Sequence, residues 1–245
     1  MAGASASVRP EIPSALESQT EIRAYLVPRN HTTLSSHIDA EIQNLFVREG
    51  ESFVAGATLV LFDCTTLMAQ RNKSQTALRA ARDKDRVMQR LAELHSVGSM
   101  EADAARSELD LATADLKVQE SRIRGCKIVA PFSGRVATLS VQEHQYLSPG
   151  QVIMKILDHR HLEMEMIVPS RWIVRLKPNS RFSMHIDETG KNYPARVIRI
   201  GAEADPVSQS VKMIAELVGE YPDLVPGMSG AATFSTVEAE SASPP

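Results

Sequence analysis

Aromatic residues are scarce in this chain. They make up 4% of it, with a single Trp, too few for the base-stacking platforms of single-strand nucleic-acid binders. A dominant charge is missing too: 27 Lys and Arg face 30 Asp and Glu, and the net charge of −3 gives no electrostatic reason to expect nucleic acid as a partner. No stretch approaches the roughly 20 consecutive apolar residues that a membrane-crossing helix needs. Met1 to Thr20 has no basic start followed by an apolar core, so it does not read as a signal peptide. Catalytic signatures are absent as well. There is no G-x-x-x-x-G-K-[ST] loop, no H-E-x-x-H and no nucleophile–base set, so the sequence does not read as an enzyme.

What is present is organised around Thr65–Arg124. This stretch is rich in Ala, Leu, Arg, Glu and Gln, lacks proline and holds one internal glycine, Gly98. Such a composition favours helix. The glycine sits where a helix would have to reverse, which predicts two antiparallel helices, about 65–96 and 99–124, with Ser99 as N-cap of the second. The second arm carries a heptad stripe of Ala102, Ala105, Leu109, Ala112, Leu116, Gln119 and Ile123. The stripe of the first arm is poorer: Leu67, Arg71, Ser74, Leu78, Ala81, Asp85, Met88 and Ala92. Small residues allow close approach, and the polar members imply a thin seam.

The only two cysteines, Cys64 and Cys126, flank this stretch, where the arms of a hairpin must meet. They read either as a disulfide across the hairpin base in an oxidising compartment or as two small buried thiols.

The flanks follow a different grammar. Short alternating strands run from Glu21 to Asp63, and the same pattern returns from Lys127 to Asp158. Phe53-Val54-Ala55-Gly56 leads through a strand to Asp63, and Tyr146-Leu147-Ser148-Pro149-Gly150 leads through a strand to Asp158. This internal repeat predicts two similar halves of one small β domain. Gly50 and Gly150 are read as lying in equivalent turns, with Gly56 and Gly134 as further turn glycines. From Leu162 to Phe234, four to six short strands with regular turns predict a small closed β-barrel.

Residues 128–136, I-V-A-P-F-S-G-R-V, are similar to the I-x-A-P-F-x-G-x-V signature of biotinyl/lipoyl carrier domains. Half-lipoyl, helical hairpin, half-lipoyl is an order that resembles the periplasmic adaptors, or membrane fusion proteins, of the HlyD/RND type. Leu224–Ala231, L-V-P-G-M-S-G-A, resembles the adaptors' L-x-P-G-M-x-G/V strand. The resemblance covers about residues 21–236. It implies a mixed α and β, elongated fold: a split lipoyl-like β-sandwich (barrel-sandwich hybrid), an inserted antiparallel coiled-coil hairpin and a following β-barrel. The expected division is a disordered 1–20, a lipoyl-like domain of 21–63 plus 126–158, a hairpin of 64–125, a barrel of 159–236 and a disordered tail of 237–245.

The resemblance further implies a periplasmic subunit linking an inner-membrane transporter, of RND or ABC type, to a TolC-like outer-membrane channel in a tripartite efflux pump. A type I secretion adaptor or a non-transport envelope scaffold are the alternatives. Copies would associate as a hexamer or trimer of dimers, held at the inner membrane by a signal or anchor outside this sequence. Adaptors that dock on such channels carry an Arg, a Leu and a Ser around the hairpin tip. The matching positions are Arg90, Leu94 and Ser99, with Val97 and Gly98 beside them.

No cofactor is expected. Covalent attachment needs a Lys on a tight turn between the lipoyl halves, but the helices occupy that place, and Lys127 and Lys155 fall within strand patterns. His159 and His161 form an H-x-H pair without a third ligand and read as a surface turn rather than a metal site. Met164 and Met166 read as split between core and surface rather than as soft-metal ligands.

Overall fold

The structure, a computed structural model, describes residues 21–234, so the expected tails at 1–20 and 237–245 lie outside the described residues. In chain order the elements are β1 (Ile22–Pro28), β2 (His31–Ser35), β3 (Ala40–Leu45), β4 (Ser52–Phe53), β5 (Thr58–Phe62), α1 (Thr65–Glu93), α2 (Ser99–Arg124), β6 (Lys127–Val129), β7 (Gly134–Leu139), β8 (Tyr146–Leu147), β9 (Val152–Leu157), β10 (Leu162–Pro169), a 3-10 turn (Ser170–Val174), β11 (Arg181–Ile186), β12 (Lys191–Asp205), β13 (Ser210–Leu217) and β14 (Ser229–Thr233). These form two units, one from Pro28 to His161 and one built on β1 and β10–β14.

In the first unit, helix-favouring composition gives two helices joined by the short connection 94–98. They run back along each other: Lys84 pairs with Glu108, and at the far ends Cys64 and Cys126 form a disulfide with Cα atoms 5.9 Å apart. Only Leu78, Ala81, Ala102 and Ala105 are buried, and the other stripe positions on both helices are half-buried. A seam this thin buries little apolar area, so the helices depend on what holds their base. α1 stops at Glu93, three residues before its expected end at 96, because His95 turns left-handed at φ 54°.

The rest of this unit is two four-stranded sheets, ordered β2-β9-β7-β4 and β6-β5-β3-β8. Each sheet takes strands from both halves of the repeat, and exchanging the halves turns one order into the other. Alternating apolar residues from both sheets meet in one core around Ile42, Leu59, Phe62, Leu147, Ile153 and Ile156, all 2% exposed or less. Neither half encloses a core of its own.

The repeat is exact at the level of backbone hydrogen bonds, and it corrects one pairing. Gly50 N–H donates to Val136 O (2.9 Å), as His144 N–H donates to Ile42 O (2.9 Å). Gly56 N–H donates to Ala130 O (2.8 Å), as Gly150 N–H donates to Ser36 O (2.8 Å). The counterpart of Gly50 is therefore His144, at φ 64°, and the counterpart of Gly150 is Gly56. A histidine in the left-handed region hid the true match.

The second unit is a closed six-stranded barrel, β1-β10-β13-β12-β11-β14, whose closure leaves no unpaired edge. β1 was expected in the lipoyl-like domain, but it pairs with β14, Ile22 against Ala232 and Tyr25 against Ser229. Its alternation buries Ile22, Ala24 and Leu26 against the barrel core. Met164 and Met166 both point into that core, at 0% and 1% exposure. They do not split between core and surface, because residues two apart on a strand share a face. Glu163, on the opposite face of β10, is also buried, and it pairs with Arg199 at 2.8 Å.

Candidate functional site

The connection between α1 and α2 gathers the predicted tip residues at one end of the helix pair. Ser96 N–H donates to Leu91 O (2.8 Å) and His95 N–H to Ala92 O (2.9 Å), which closes the last turn of α1. Gly98, extended at φ −73° and ψ 158°, is the N-cap of α2, and its N–H donates to Glu101 Oε2 at 2.7 Å. Ser99, expected as that cap, is instead the first helical residue, because the chain already turns helical there. Arg90 at the end of α1 and Glu101 at the start of α2 each match the sign their helix end favours.

Leu94 is 61% exposed and Met100 is 80% exposed, while Val97 is half-buried between them. The tip thus presents two large apolar side chains to solvent. Met100 was missed from sequence; its place one residue inside the helix start was the available signal. Arg90 lies about a turn below and is held by Glu93 at 2.9 Å, an exposed pair of small energetic weight.

α2 also carries a second stripe on its outer side. Met100, Ala104, Ser107, Leu111, Ala114 and Val118 recur at the same heptad spacing, bear no charge and are all exposed. The two helices differ in charge: α1 holds seven Lys and Arg against three Asp and Glu, and α2 six Asp and Glu against four Lys and Arg.

Elsewhere the predicted residues take structural places. Gly50, Gly56 and Gly150 adopt φ of 82°, 80° and 86° in tight turns, conformations that favour glycine. Gly134 is needed for another reason: a Cβ there would collide with the carbonyl oxygen of Leu157. Lys127 and Lys155 lie within β6 and β9, not on a turn.

The H-x-H pair is an ordered turn. Asp158 is buried, and it accepts hydrogen bonds from Arg160 N–H (3.0 Å) and His161 N–H (3.3 Å) while His161 Nδ1 lies 2.8 Å from its other oxygen. Burial alone would push this carboxyl up, but the bonds from His161 and Arg160 outweigh it and hold the acid below its usual range. His159 is shifted down by burial and by the nearby Arg135 and Arg160. No cluster of three or more metal-ligating side chains exists among the described residues.

An open cleft lies on the outside of the barrel. Three acids line it, Glu165, Glu203 and Asp205, and Glu165 is engaged by Lys212 (2.6 Å) and by the Tyr25 hydroxyl (2.7 Å). Burial raises the Glu165 carboxyl, yet those two bonds bring it below the ordinary value. No described helix is long and apolar enough to cross a membrane.

A split β domain with a helix pair inserted between its halves, followed by a six-stranded barrel, is the architecture of the membrane fusion proteins, or periplasmic adaptors. Solved structures with this fold include the membrane fusion protein Spr0693 from Streptococcus pneumoniae R6, at TM-score 0.73 and 16% identity, covering 88% of this chain and 98% of that one. A MacA–MexA chimeric protein containing the Pseudomonas aeruginosa MexA α-hairpin domain matches at TM-score 0.74 and 18% identity, covering 87% of this chain and 77% of the chimera.

Among curated proteins, the chain is 26% identical over 241 residues to the nodulation protein NolF of Rhizobium meliloti strain 1021, covering 92% of this chain and 65% of NolF. It is 23% identical over 248 residues to the multidrug resistance protein MdtA of Yersinia pestis strain Pestoides F, covering 88% of this chain and 56% of MdtA. These neighbours bear out the resemblance to adaptors, which are not enzymes. No family model matches the chain. The chain spans about half to two-thirds of the length of the curated relatives it matches.

Proposed function

We propose that this chain acts as a periplasmic adaptor of a tripartite efflux pump, linking an inner-membrane transporter to a TolC-like outer-membrane channel. The observation that carries this is the tip: a helix pair, pinned at its base by Cys64–Cys126, holds Leu94 and Met100 exposed at its far end. Exposed apolar side chains at the end of a rigid support suit docking into grooves of a partner. The MdtA likeness and the adaptor fold support efflux over other uses.

In this reading the helix pair works as a coiled-coil hairpin and its tip, Arg90, Leu94, Val97, Gly98, Ser99 and Met100, meets the channel. The inner-membrane partner is an RND or ABC transporter. Copies associate side by side as a hexamer or trimer of dimers, with the free stripe of α2 against α1 of the next copy. The opposite charge balance of the two helices supports that pairing.

The test is in-cell photo-cross-linking from Ser99, with exposed Lys117 on α2 as the control. An adduct with an outer-membrane channel from Ser99 and not from Lys117 is expected. Adducts with other copies alone, or none, would overturn tip docking in favour of an envelope scaffold.

A further inference from the structure

The connection between β10 and β11 is unlike the other turns of the barrel. From Ile167 to Ile186 there is no acidic residue, yet there are four cations: Arg171, Arg175, Lys177 and Arg181. All four are exposed, and no ion pair engages any of them among the described residues.

The same segment exposes apolar side chains. Ser170–Val174 is a single 3-10 turn whose Trp172 faces inward, its ring edge-on to Phe234 at 5.8 Å. Phe234 in turn stacks on Phe182 at 4.6 Å. Leu176 also packs onto the barrel core. With Trp172 and Leu176 turned in, Ile173 and Val174 are turned out, at 40% and 83% exposure. The turn is rigidly held: Leu176 N–H donates to Trp172 O (2.9 Å), Lys177 N–H to Ser180 Oγ (3.0 Å) and Asn179 N–H to Val197 O (2.8 Å).

We infer that this turn is a membrane-surface contact, which seats Ile173 and Val174 at the headgroup–acyl boundary of an anionic bilayer while Arg171, Arg175 and Lys177 meet its headgroups. Two exposed aliphatic side chains flanked in the chain by cations, Arg171 before them and Arg175 and Lys177 after, form the pattern of an interfacial anchor. Charge selects the occupant. An anionic lipid surface offers many negative groups in one plane, which suits cations spread around an apolar centre, and each cation near such a surface strengthens binding about fivefold. The more numerous cations of α1 do not form this pattern: Lys84, Arg86 and Arg90 are paired with Glu108, Asp83 and Glu93, and the large apolar side chain between Lys73 and Arg79, Leu78, is buried. The inference stands independently of tip docking.

The test is flotation of the purified protein with vesicles of phosphatidylglycerol and phosphatidylcholine, against vesicles of phosphatidylcholine alone. Binding to the anionic vesicles only is expected. It should fall by at least about 25-fold in Arg171→Glu/Arg175→Glu, on the fivefold scale per cation. Val174→Ser should weaken it severalfold while leaving its salt dependence unchanged. A double reversal on α1, Lys73→Glu/Arg79→Glu, should leave flotation intact, and thermal unfolding should show every variant folded. Equal binding to both vesicle types, no binding, or an equal loss in the α1 variant would overturn the inference. Release by millimolar inorganic phosphate at constant ionic strength would also overturn it, in favour of a simple anion site.

Discussion

Gly56 and Gly150 are one position used twice. Each sits in a tight turn, at φ 80° and 86°, and each donates its N–H across to the opposite half at 2.8 Å, Gly56 to Ala130 O and Gly150 to Ser36 O. The two glycines lock the halves of the β domain together reciprocally. Gly56→Ala and Gly150→Ala should each cost about 1–2 kcal/mol, the strain of a side chain in the left-handed region. Their costs should be similar, because neither Cβ would meet a neighbour within 4 Å. Gly134→Ala should cost more, since its Cβ would strike the Leu157 carbonyl. Urea unfolding of the three variants checks the order.

Removing the disulfide should lower stability, chiefly by freeing the unfolded chain. Cys64 and Cys126 are 62 residues apart in sequence, and a bridge over that span is worth about 4 kcal/mol in the chain-entropy account. Cys64→Ser/Cys126→Ser should lower the urea midpoint accordingly. Reduction of the wild type should reproduce the effect, and a matching midpoint in oxidised and reduced protein would show the bridge absent.

The tip should separate stability from docking. Leu94 and Met100 are exposed, so Leu94→Ser/Met100→Ser should change unfolding by no more than about 0.5 kcal/mol. The same variant should lose most of the Ser99 cross-link to the channel. Retained cross-linking would place the contact elsewhere.

The outer stripe of α2 predicts a surface for self-association. Leu111 is 69% exposed, so Leu111→Glu should leave the monomer folded. It should shift the protein toward monomer in light scattering at a concentration where the wild type associates. An unchanged mass would remove the stripe from the assembly.

Acid should loosen the turn around Asp158. Its carboxyl titrates lower folded than unfolded, so its stabilisation is complete above the unfolded value and is lost as pH falls through the folded one. Asp158→Asn lacks this contribution at every pH. The stability gap between wild type and variant should therefore narrow as pH drops from about 5 to about 2. Urea midpoints across that range measure it.

Much of this was legible in the residues. The spacing Ala102, Ala105, Leu109, Ala112 marks the less exposed side of α2 because helix period and heptad period nearly agree. The β repeat showed through its glycines. What was not legible depended on partners distant in sequence. Ile22-Arg23-Ala24 announces a strand with one buried face, but which sheet receives that face is decided by Ala232 near the other end of the chain. The Gly50–His144 match was hidden because left-handed backbone leaves no residue-type signal when the occupant is a histidine. The exposure of the α2 stripe could be seen only once α1 had taken the other side.

The exchange of strands between the two sheets also sets a timetable. β3 and β5 emerge from synthesis before α1, but β6 and β8, which flank them in the finished sheet, follow α2. At translation rates of 5–20 residues per second, the first half waits roughly 3–13 s with both edges of its sheet bare. Its sticky strands are unprotected for that interval, and Cys64 has no Cys126 to meet. The helix pair is therefore a delay built into the order of the chain, and a chaperone acting on this protein would have to cover that window.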